Sequence, residues 1–293
     1  MKILLFGRNG QVGWELERSL MPIGDVFALD RSQADLSKPD TLIPIFQELK
    51  PDVVINAAAY TAVDTAENDE QLAMMINAEA VGVLAEVSRA NNALLIHYST
   101  DYVFDGKKDG MYSEEDTPNP LNIYGKSKLA GENVIIKSDV DHLIFRTSWV
   151  FSTRGKNFLN TILRLARERD DLSIVADQIG TPTWARLIAE VTGYCLVQAI
   201  QRRENGNFSS GIYNLTAKNY TSWYEFAKQI ISSSPDQNNF LDSENIKPIT
   251  SNDYPTPAIR PLNSRLDITK LENHYSLQMP SWQETVKYAL NKV

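Results

Sequence analysis

The sequence predicts an α/β protein built on a doubly wound parallel sheet, and three observations support this. Short apolar runs alternate with longer amphipathic segments through the first half of the chain. The short runs are apolar throughout rather than at every second residue, which is typical of strands covered on both faces. Glycines stand directly between the first apolar run and the first amphipathic segment.

Each element of the first half is predicted from its own run of residues. The amphipathic segments repeat apolar residues at helical spacing, and the second of them is predicted to be helical despite an internal proline. The predicted strands are "KILLF", "DVFALD", "PDVVINAA", "ALLIHYST" and "DHLIFRTSWVF". The predicted helices are "QVGWELERSLM", "DTLIPIFQELK", "ENDEQLAMMINAEAVGVLAEVSRAN" and "LNIYGKSKLAGENVIIK".

The rhythm becomes irregular after Phe151. Helices are predicted at "NFLNTILRLARERD" and "ARLIAEVTGYCLVQAIQRR", with strands at "LSIVAD" and "GIYNLT". Residues 233–267 are rich in Ser, Asn, Asp and Pro. We expect one domain over residues 1–150, joined by returning segments from about 178–230, and a smaller interleaved C-terminal lobe over 151–293.

Composition excludes several classes of protein. The net charge is −8, from 37 acidic and 29 basic residues, and no Lys/Arg-rich run indicates a nucleic-acid surface. The single cysteine, Cys195, allows no internal disulfide and lies in an apolar run, so a buried thiol in a reducing cytoplasm is expected. No apolar run reaches membrane length, and the one before Gly7 is too short for a signal peptide.

The glycines form a GxxGxxG motif, "GRNGQVG", between the first strand and the first helix. Glycine there allows a tight turn, a close backbone approach to a pyrophosphate, and close packing of helix on strand. The helix N-terminus favours an anion. This context predicts a Rossmann-type dinucleotide site in residues 1–150, contacted by Gly7, Asn9, Gly10, Gln11, Val12 and Gly13.

The end of the second strand bears on which nucleotide binds. Asp30 lies about twenty residues past the glycines, where a carboxylate would bind the adenosine ribose and favour NAD. Arg31 could stack on adenine or pair with a 2′-phosphate, so NADP stays open. Asp35 and Leu36 could contact the adenine ring, and the alternative is that the whole segment is a solvated loop.

The stretch "NAAAYTAVD", after the third strand, has small residues that let the backbone lie close to a cofactor. Ala58, Ala59, Tyr60 and Thr61 would be nearest, at the carboxyl edge of the sheet where ligands bind. A run of alanines also occurs in ordinary packing.

A tyrosine four residues before a lysine places both side chains on one face of a helix. The spacing occurs at Tyr124/Lys128, Tyr224/Lys228 and Tyr288/Lys292. Only the first pair follows a strand that ends in hydroxyl residues, Ser99 and Thr100. We predict that Thr100, Tyr124 and Lys128 are catalytic and that the other two pairs are helix packing with solvated lysines.

The chemistry expected of this trio is reduction of a carbonyl. A free tyrosine has a pKa near ~10, so its phenol is protonated at neutral pH. An ammonium at about 5 Å, at an effective dielectric of about 20, would stabilise the phenolate by roughly 3 kcal/mol. Lys128 would thereby lower the pKa of Tyr124 and make it a better acid toward a carbonyl that Thr100 also binds.

These motifs together resemble the extended short-chain dehydrogenases/reductases, and seven blocks are similar to the dTDP-4-dehydrorhamnose reductase family. The blocks span nearly the whole chain, and "LIFRTSWVF" and the end of the last block are the more specific ones. They are "ILLFGRNGQVGWEL", "NAAAYTAVDTAE", "HYSTDYVFDG", "NIYGKSKLAGE", "LIFRTSWVF", "DQIGTPT" and "YPTPAIRPLNSRL".

The resemblance implies reduction of the 4-keto group of dTDP-4-dehydro-β-L-rhamnose to dTDP-L-rhamnose, a rhamnose donor for cell-surface polysaccharide, with NADPH or NADH. It implies that Tyr124 donates the proton and that Lys128 holds the nicotinamide ribose, so both also contact the cofactor. Trp149 could offer an apolar wall to a deoxysugar, or be a core tryptophan. The substrate contacts implied are Thr100, Asp101, Tyr102, Val103, Trp149, Asn157 and Arg260.

Some members of that family pair through magnesium held by carboxylates. Here Arg186 stands at one matching position, and Glu15 is the only clear counterpart of the acidic set. A cation would repel the metal. We therefore expect no bound metal, and a monomer or weak homodimer.

Two other functions stay open. A sugar-nucleotide dehydratase would need a second carboxylate after Asp101, where Tyr102 stands, but a C4 epimerase also uses tyrosine and lysine. A protein that resembles this family serves as a non-catalytic regulatory subunit of a methionine adenosyltransferase. Retention of Thr100, Tyr124 and Lys128 favours the reductase.

Overall fold

A six-stranded parallel sheet forms the centre of the computed structural model, which describes residues 1–236 and 239–291. The strands, numbered along the chain, are β1 (Lys2–Phe6), β2 (Asp25–Leu29), β3 (Val53–Asn56), β4 (Leu94–Thr100), β5 (His142–Thr147), β6 (Val150–Phe151), β7 (Leu172–Val175), β8 (Ile179–Gly180), β9 (Thr183–Trp184), β10 (Gly211–Asn214), β11 (Thr221–Ser222) and β12 (Ile246–Ile249). The central order is β2-β1-β3-β4-β5-β10, with every neighbouring pair parallel. The predicted α/β fold with a doubly wound parallel sheet is confirmed.

The helices follow the predicted segments with two local differences, and two further short helices occur at Val63–Ala66 and Thr269–Tyr275. The proline-containing segment begins as a 3₁₀ turn, and its Pro44 lies in the first turn of the α-helix, where a missing N–H breaks no helical hydrogen bond. The long fourth segment contains a π-helical stretch, Met75–Glu79, that divides it. The α-helices are α1 (Gln11–Ser19), α2 (Ile43–Leu49), α3 (Val63–Ala66), α4 (Glu70–Met74), α5 (Ala80–Ala90), α6 (Ile123–Lys137), α7 (Phe158–Glu168), α8 (Ala185–Glu204), α9 (Trp223–Ser233), α10 (Thr269–Tyr275) and α11 (Trp282–Leu290).

Both faces of the sheet are buried, because successive strand residues point to opposite sides. Ile3 and Leu5 of β1 face one apolar core, and Leu4 and Phe6 face the other. The first core contains residues of α1 and α8, which pack against each other, and the second contains residues of α2, α5 and α6. This burial on both sides explains why the strand sequences are apolar at every position.

The second half of the chain shares the first of these cores. Apolar residues of α7, α9 and α11 belong to the same buried cluster as the strands of the central sheet. The strand β10 returns to the sheet beside β5, while β7 pairs with β12 in a separate two-stranded sheet. The segments of the second half are thus interleaved with the first.

The strand order reverses between β1 and β3. The connection from β1 leads outward to β2 on one side, whereas β3, β4, β5 and β10 follow on the other. Chains diverge at such a point and leave a crevice at the carboxyl ends of the strands, where ligands bind in doubly wound sheets. The glycine motif follows β1, and the alanine run follows β3, so both lie at this crevice.

Two expectations from composition bear on the rest of the fold. Cys195 is a free, buried cysteine on α8, and burial raises the pKa of its thiol, as predicted for a structural residue. Within the described ranges, no helix has both the length and the apolar character that crossing a membrane requires.

Candidate active site

The glycine loop packs directly against the loop after β3. Gly7 has φ +87°, and a Cβ atom on it would lie 2.7 Å from the Ala58 nitrogen. A Cβ on Gly13 would lie 2.0 Å from the carbonyl oxygen of Gly7. The Gly10 N–H donates to that same carbonyl over 2.9 Å. Side chains are therefore excluded from the cradle that the three glycines form.

The helix behind this loop begins without a side-chain cap. Gly10 is the N-cap residue of the nine-residue helix α1, and the first turn carries no acidic side chain. The first N–H groups of an uncapped helix need acceptors, and the macrodipole favours an anion there. Together with the glycine cradle, this geometry fits a dinucleotide pyrophosphate held by the backbone from Gly10 to Gly13, with Gln11 and Val12 between them.

The cradle allows a direct test. We expect Gly13→Ala to weaken NADPH and NADH binding strongly, because its Cβ cannot be accommodated 2.0 Å from the Gly7 oxygen without moving the loop. Isothermal titration calorimetry measures the loss. The matched control is Gly82→Ala in α5, where a Cβ meets nothing closer than 3.9 Å. Equal affinity of the Gly13 variant and wild type would contradict this role.

Asp30 is held as an ionised carboxylate at the end of β2. It accepts hydrogen bonds from the Ser32 hydroxyl over 2.6 Å, from the Ser32 N–H over 2.8 Å and from Asn9 Nδ2 over 3.4 Å. The Ser32 bonds are the main cause of its lowered pKa. A fixed, charged carboxylate at this place fits hydrogen bonding to a ribose hydroxyl.

The next residues of this loop differ in their availability. Arg31 has 74% of its side chain exposed and lies 3.5 Å from the Asp35 carboxylate. Asp35 also accepts from the Ser37 N–H and hydroxyl, which lower its pKa. Leu36 is only 5% exposed and belongs to the second core. Arg31 is thus free to reach a nucleotide, whereas the Leu36 side chain is committed to packing.

The loop after β3 is held by an asparagine that the sequence analysis did not single out. Asn77, in the π-helical stretch, accepts from the Tyr60 N–H over 2.8 Å and donates to the Tyr60 carbonyl over 3.0 Å. The Asn77 amide also donates to the Ser127 hydroxyl over 2.9 Å. Ala58 and Ala59 are half-buried beside this anchor, and Thr61 is exposed. The π-helical bulge has no sequence signature, which explains why Asn77 was missed.

The hydroxyl at the end of β4 and the tyrosine of α6 come together through a close backbone contact. A Cβ on Gly125 would lie 2.2 Å from the Tyr102 carbonyl oxygen, so only glycine allows α6 to approach this closely. The Tyr102 and Tyr124 rings meet edge to face with centroids 5.7 Å apart. The Thr100 hydroxyl lies close enough to the Tyr124 phenol to lower its pKa. The structure thereby places Thr100, Tyr102 and Tyr124 in one group.

Lys128 lies one helical turn beyond Tyr124 and is 2% exposed. Its ammonium nitrogen donates to the Tyr98 carbonyl over 2.6 Å and lies 3.2 Å from His97 Nε2. Burial lowers the pKa of Lys128 to about 8, with Glu132 acting in the opposite direction. The lysine is therefore positioned by β4 rather than by solvent.

The electrostatic expectation for Tyr124 is wrong in direction. Burial raises the pKa of its phenol to about 12, with the Thr100 hydroxyl lowering it and the buried Asp101 raising it further. Lys128 is not among the groups that shift it, because its amine is directed at the Tyr98 carbonyl and its own charge is disfavoured by burial. In this structure the phenol stays firmly protonated.

Asp101 is a buried carboxyl group directly behind this trio. It is 3% exposed and accepts from the Thr100 hydroxyl over 2.9 Å and from the Ser148 hydroxyl over 3.3 Å. Burial raises its pKa to about 6, and hydrogen bonds from Ser264, Thr100 and Ser148 act against that shift. A carboxyl group so completely enclosed reaches a ligand only through its neighbours, which makes Thr100 the group in front of it.

A buried ion pair fixes the C-terminal half of α6. Glu132, two turns past Tyr124, accepts from Arg146 Nε over 2.9 Å and from Arg146 Nη2 over 2.6 Å. The two side chains are 1% and 3% exposed. The pair ties α6 to β5 and so sets the position of Tyr124 and Lys128 above the sheet. Glu132 lies on the tyrosine face of the helix, and that spacing could have revealed it.

The tryptophan assigned to the substrate is half-buried and strained. Trp149 has a φ angle of +46°, in the left-handed region that residues other than glycine rarely adopt. Its ring stacks on Trp223 with centroids 3.5 Å apart, and a Cβ on Gly180 would lie 2.5 Å from it. Trp223, on α9, was not predicted. Both tryptophans are half-buried, so the stacked pair is neither fully part of the core nor a fully exposed apolar wall.

The remaining substrate assignments differ in their geometry. Val103 is fully buried in a small apolar cluster, so its side chain packs in the interior, and its substrate assignment stays a prediction. Asn157 caps α7 by accepting from the Asn160 N–H, and its amide donates to Gln11 Oε1 over 2.9 Å. Both ends of the Asn157 side-chain amide thus form hydrogen bonds within the protein, and the bond to Gln11 links α7 to the glycine loop.

Arg260 belongs to the tyrosine group. Its guanidinium donates to the Asp64 carboxylate over 2.7 Å, and it interacts with the Tyr102 hydroxyl, whose pKa burial raises and Arg260 lowers. Asp64 closes the alanine run after β3. Arg260 thus bridges the predicted cofactor loop and the predicted substrate segment.

Glu15 and Arg186, the residues compared with the family's magnesium site, lie in one groove. This groove of about 620 Å³ between α1 and α8 is lined by Glu15, Arg186 and Glu190, and contains none of the predicted catalytic residues. Burial raises the pKa of Glu15, Arg186 lowers it and Glu190 raises it. Glu190 is thus a second carboxylate in this groove, and Arg186 donates to it over 2.7 Å. No cluster of three or more metal-binding side chains occurs within residues 1–236 and 239–291.

The tyrosines of the other two tyrosine–lysine pairs lie on α9 and α11, in the second half of the chain. On α9 the Lys228 ammonium lies 5.2 Å from the centre of the Tyr224 ring. Tyr288, on α11, is 62% exposed, so it is not the packing residue that was expected. Lys292 lies outside the described residues.

The glycine cradle on a doubly wound sheet, with Thr100, Tyr124 and Lys128 at its crevice, defines a nicotinamide-dependent reductase of the short-chain class. The chain belongs to the family described as "RmlD substrate binding domain", whose model matches residues 1–293.

Curated relatives and a solved structure agree with that family. The chain is 50% identical to a dTDP-4-dehydrorhamnose reductase of Burkholderia thailandensis, over 98% of this chain and 97% of the relative. It is 42% identical to the same enzyme of Salmonella typhimurium, over 100% of this chain and 98% of the relative. A dTDP-4-dehydrorhamnose reductase of Bacillus anthracis, solved in complex with NADP, is 34% identical with a TM-score of 0.89, covering 100% of this chain and 99% of that one.

Proposed function

We propose that this protein reduces the 4-keto group of dTDP-4-dehydro-β-L-rhamnose to dTDP-L-rhamnose, with NADPH or NADH as reductant. The observation that carries the proposal is the half-buried, protonated Tyr124 beside the Thr100 hydroxyl at the sheet crevice. Full-length similarity to named dTDP-4-dehydrorhamnose reductases supports the choice of sugar.

The roles of the side chains follow from their geometry. Tyr124 donates its proton to the carbonyl oxygen as negative charge develops there. Thr100 shares that oxygen as a second hydrogen-bond donor, and for this its hydroxyl must turn away from Asp101, to which it donates over 2.9 Å. Lys128, one turn further along α6, would hold the nicotinamide ribose, the role that the family resemblance implies. A bound nicotinamide supplies the hydride that the protein itself lacks.

The residues available to the cofactor are those of the glycine loop and the loops after β2 and β3. The backbone from Gly7 to Gly13 would hold the pyrophosphate, and Asp30 the ribose. The exposed Arg31 side chain would donate hydrogen bonds to a 2′-phosphate, so the site suits NADPH as well as NADH. The alanine run, anchored by Asn77, would border the nicotinamide half.

An assay with dTDP-4-dehydrorhamnose tests the proposal directly. We expect stoichiometric loss of nicotinamide absorbance and formation of dTDP-L-rhamnose. A C4 epimerase would interconvert two sugar nucleotides with no net loss of the reduced cofactor, and a regulatory subunit would do neither. Cofactor binding without consumption, when the correct ketone is present, would overturn the reductase assignment.

The lowered pKa of Lys128 predicts how activity depends on pH. The charged lysine is present below its pKa of about 8 and is lost as the pH rises through that value. We therefore expect kcat/KM to fall above about pH 8, whereas an ordinary lysine would keep its charge to about pH 10. A stopped-flow pH profile from pH 6 to 10 measures this. A profile flat to pH 10 would contradict it.

We further propose that the enzyme works in the cytoplasm as a monomer or weak homodimer, without a bound metal. The free thiol of Cys195 supports a reducing compartment. The ion pair between Arg186 and Glu190 supports the absence of a metal, because it neutralises one carboxylate of the groove. Analytical ultracentrifugation with and without magnesium measures the association.

A further inference from the structure

A chain of buried hydrogen bonds joins the loop after β3 to the Lys128 amine. The Ala58 N–H donates to Asn56 Oδ1 over 3.1 Å, and Asn56 Nδ2 lies 3.2 Å from His97 Nδ1. On the other side of the imidazole, Nε2 lies 3.2 Å from Lys128 Nζ. Asn56, His97 and Lys128 are 1%, 0% and 2% exposed, so water does not compete for these bonds.

The direction of each bond follows from the one before it. The Ala58 N–H is a donor, so the oxygen of the Asn56 amide must face it, and the NH₂ group then faces His97. His97 Nδ1 must accept that bond. Burial, followed by the nearby Lys128, lowers the pKa of His97 well below its usual value, so the ring is neutral. A neutral ring that accepts at Nδ1 carries its proton on Nε2, directed at Lys128.

This direction matters because an ammonium group has three donors and no lone pair. A charged Lys128 would meet the His97 Nε2–H donor to donor, whereas a neutral amine accepts it and still donates to the Tyr98 carbonyl at 2.6 Å. We propose that His97, locked as the Nε2–H tautomer by Asn56, is a positioning residue that disfavours the charged form of the catalytic lysine. Its consequence for turnover rests on the proposed role of Lys128.

The other groups around Lys128 leave room for this effect. Glu132, four residues along α6, favours the charge but is engaged by Arg146 in two hydrogen bonds. Tyr124, one turn back, is a protonated phenol. The neighbouring π-helical stretch places the uncharged Asn77 against α6, and its Glu79 is exposed. Within the described chain, His97 is the titratable group that β4 places against the amine.

Protonation of Lys128 therefore has a structural cost at the other end of the chain. The His97 proton would have to move to Nδ1, and the Asn56 amide would have to rotate so that its oxygen accepts it. That rotation turns the Asn56 NH₂ toward the Ala58 N–H and breaks their hydrogen bond. The protonation state of the lysine is thus linked to the loop after β3.

Nitrogen NMR of the ligand-free protein tests the tautomer without any assay of activity. The chain has three histidines, so selective ¹⁵N-histidine labelling gives three ring systems, and His97→Gln assigns one of them. We expect His97 to show the neutral Nε2–H pattern at pH 9.5, where Lys128, with a pKa of about 8, is a neutral amine. A neutral Nδ1–H pattern, or an imidazolium, would overturn the proposal even if the reductase assignment holds.

The variant Asn56→Asp reverses the lock. A carboxylate accepts from both the Ala58 N–H and a protonated His97 Nδ1, so Nε2 becomes an acceptor for the ammonium of Lys128. We expect the NMR pattern to change to Nδ1–H and the alkaline limb of kcat/KM to move up by about one pH unit. At pH 9 the variant then keeps about fivefold more of its plateau activity than wild type keeps.

Two further variants complete the test. His97→Gln offers an amide oxygen to the ammonium, so it also moves the alkaline limb upward, and it serves if Asn56→Asp does not fold. The control is His142→Gln on β5. In the wild type, His142 Nδ1–H donates to the Val140 carbonyl oxygen over 2.8 Å, and this histidine is not bonded to Lys128. We expect its profile to match wild type. An unchanged limb in folded Asn56→Asp and His97→Gln proteins would refute the proposal.

Discussion

Tyr124→Phe should reduce kcat by about 100- to 10,000-fold, the range that positioned general acids contribute. The phenylalanine keeps the ring that packs edge to face on Tyr102, with centroids 5.7 Å apart in the wild type, so the fold and the crevice are retained. Only the hydroxyl beside Thr100 is lost. Single-turnover reduction of dTDP-4-dehydrorhamnose, with cofactor affinity measured separately, isolates this chemical step.

The matched control for this variant is Tyr224→Phe. It removes the same hydroxyl from a second tyrosine–lysine pair, in which Lys228 lies 5.2 Å from the ring centre. We expect kcat within about twofold of wild type, as for substitutions away from a site. A large loss from Tyr224→Phe, or near-normal turnover from Tyr124→Phe, would move the acid elsewhere.

Glu132→Leu should lower the free energy of unfolding by about 3–5 kcal/mol, because it leaves the Arg146 guanidinium buried without its partner. Arg146 is 3% exposed, and its Nη1 already has no hydrogen-bond partner, so no solvent or side chain compensates for the lost carboxylate. Urea unfolding followed by circular dichroism measures the change. The expected loss is a large fraction of the stability of an ordinary domain.

Two comparisons separate this pair from ordinary surface charges. The double variant Glu132→Leu/Arg146→Met removes both charges and should recover much of the stability, since an apolar replacement of a buried pair is often neutral. Glu168→Gln breaks the exposed pair with Arg164 and should cost less than about 1 kcal/mol. A double variant as unstable as the single one would show that packing, rather than the unpaired charge, is responsible.

The sequence predicted the parts of the fold that depend on local pattern. Continuous apolar runs identified the strands of the central sheet, and GxxGxxG between a strand and a helix identified the cradle. The same pattern could not reveal the π-helical bulge at Asn77, because a bulge depends on packing against α6 rather than on its own residues. Nor could it show that β10 returns beside β5, since strand order is set by the whole core.

The candidate site divides in the same way. The spacing of Tyr124 and Lys128, and a strand that ends in Thr100, are local features, so the sequence could identify the trio. Their charge states were beyond its reach. Burial, which raises the pKa of Tyr124 and lowers that of Lys128, is a property of the assembled core.

By itself, then, the sequence determined the α/β class, the glycine cradle, the family resemblance and the three residues proposed for catalysis. The tertiary structure decided what surrounds them: Val103 is buried in an apolar cluster, Trp149 stacks on Trp223, and Lys128 is directed at His97 and Tyr98. The reason is physical. Residue type and spacing fix which groups one element presents, whereas burial and hydrogen-bond direction arise only where elements distant in the chain meet.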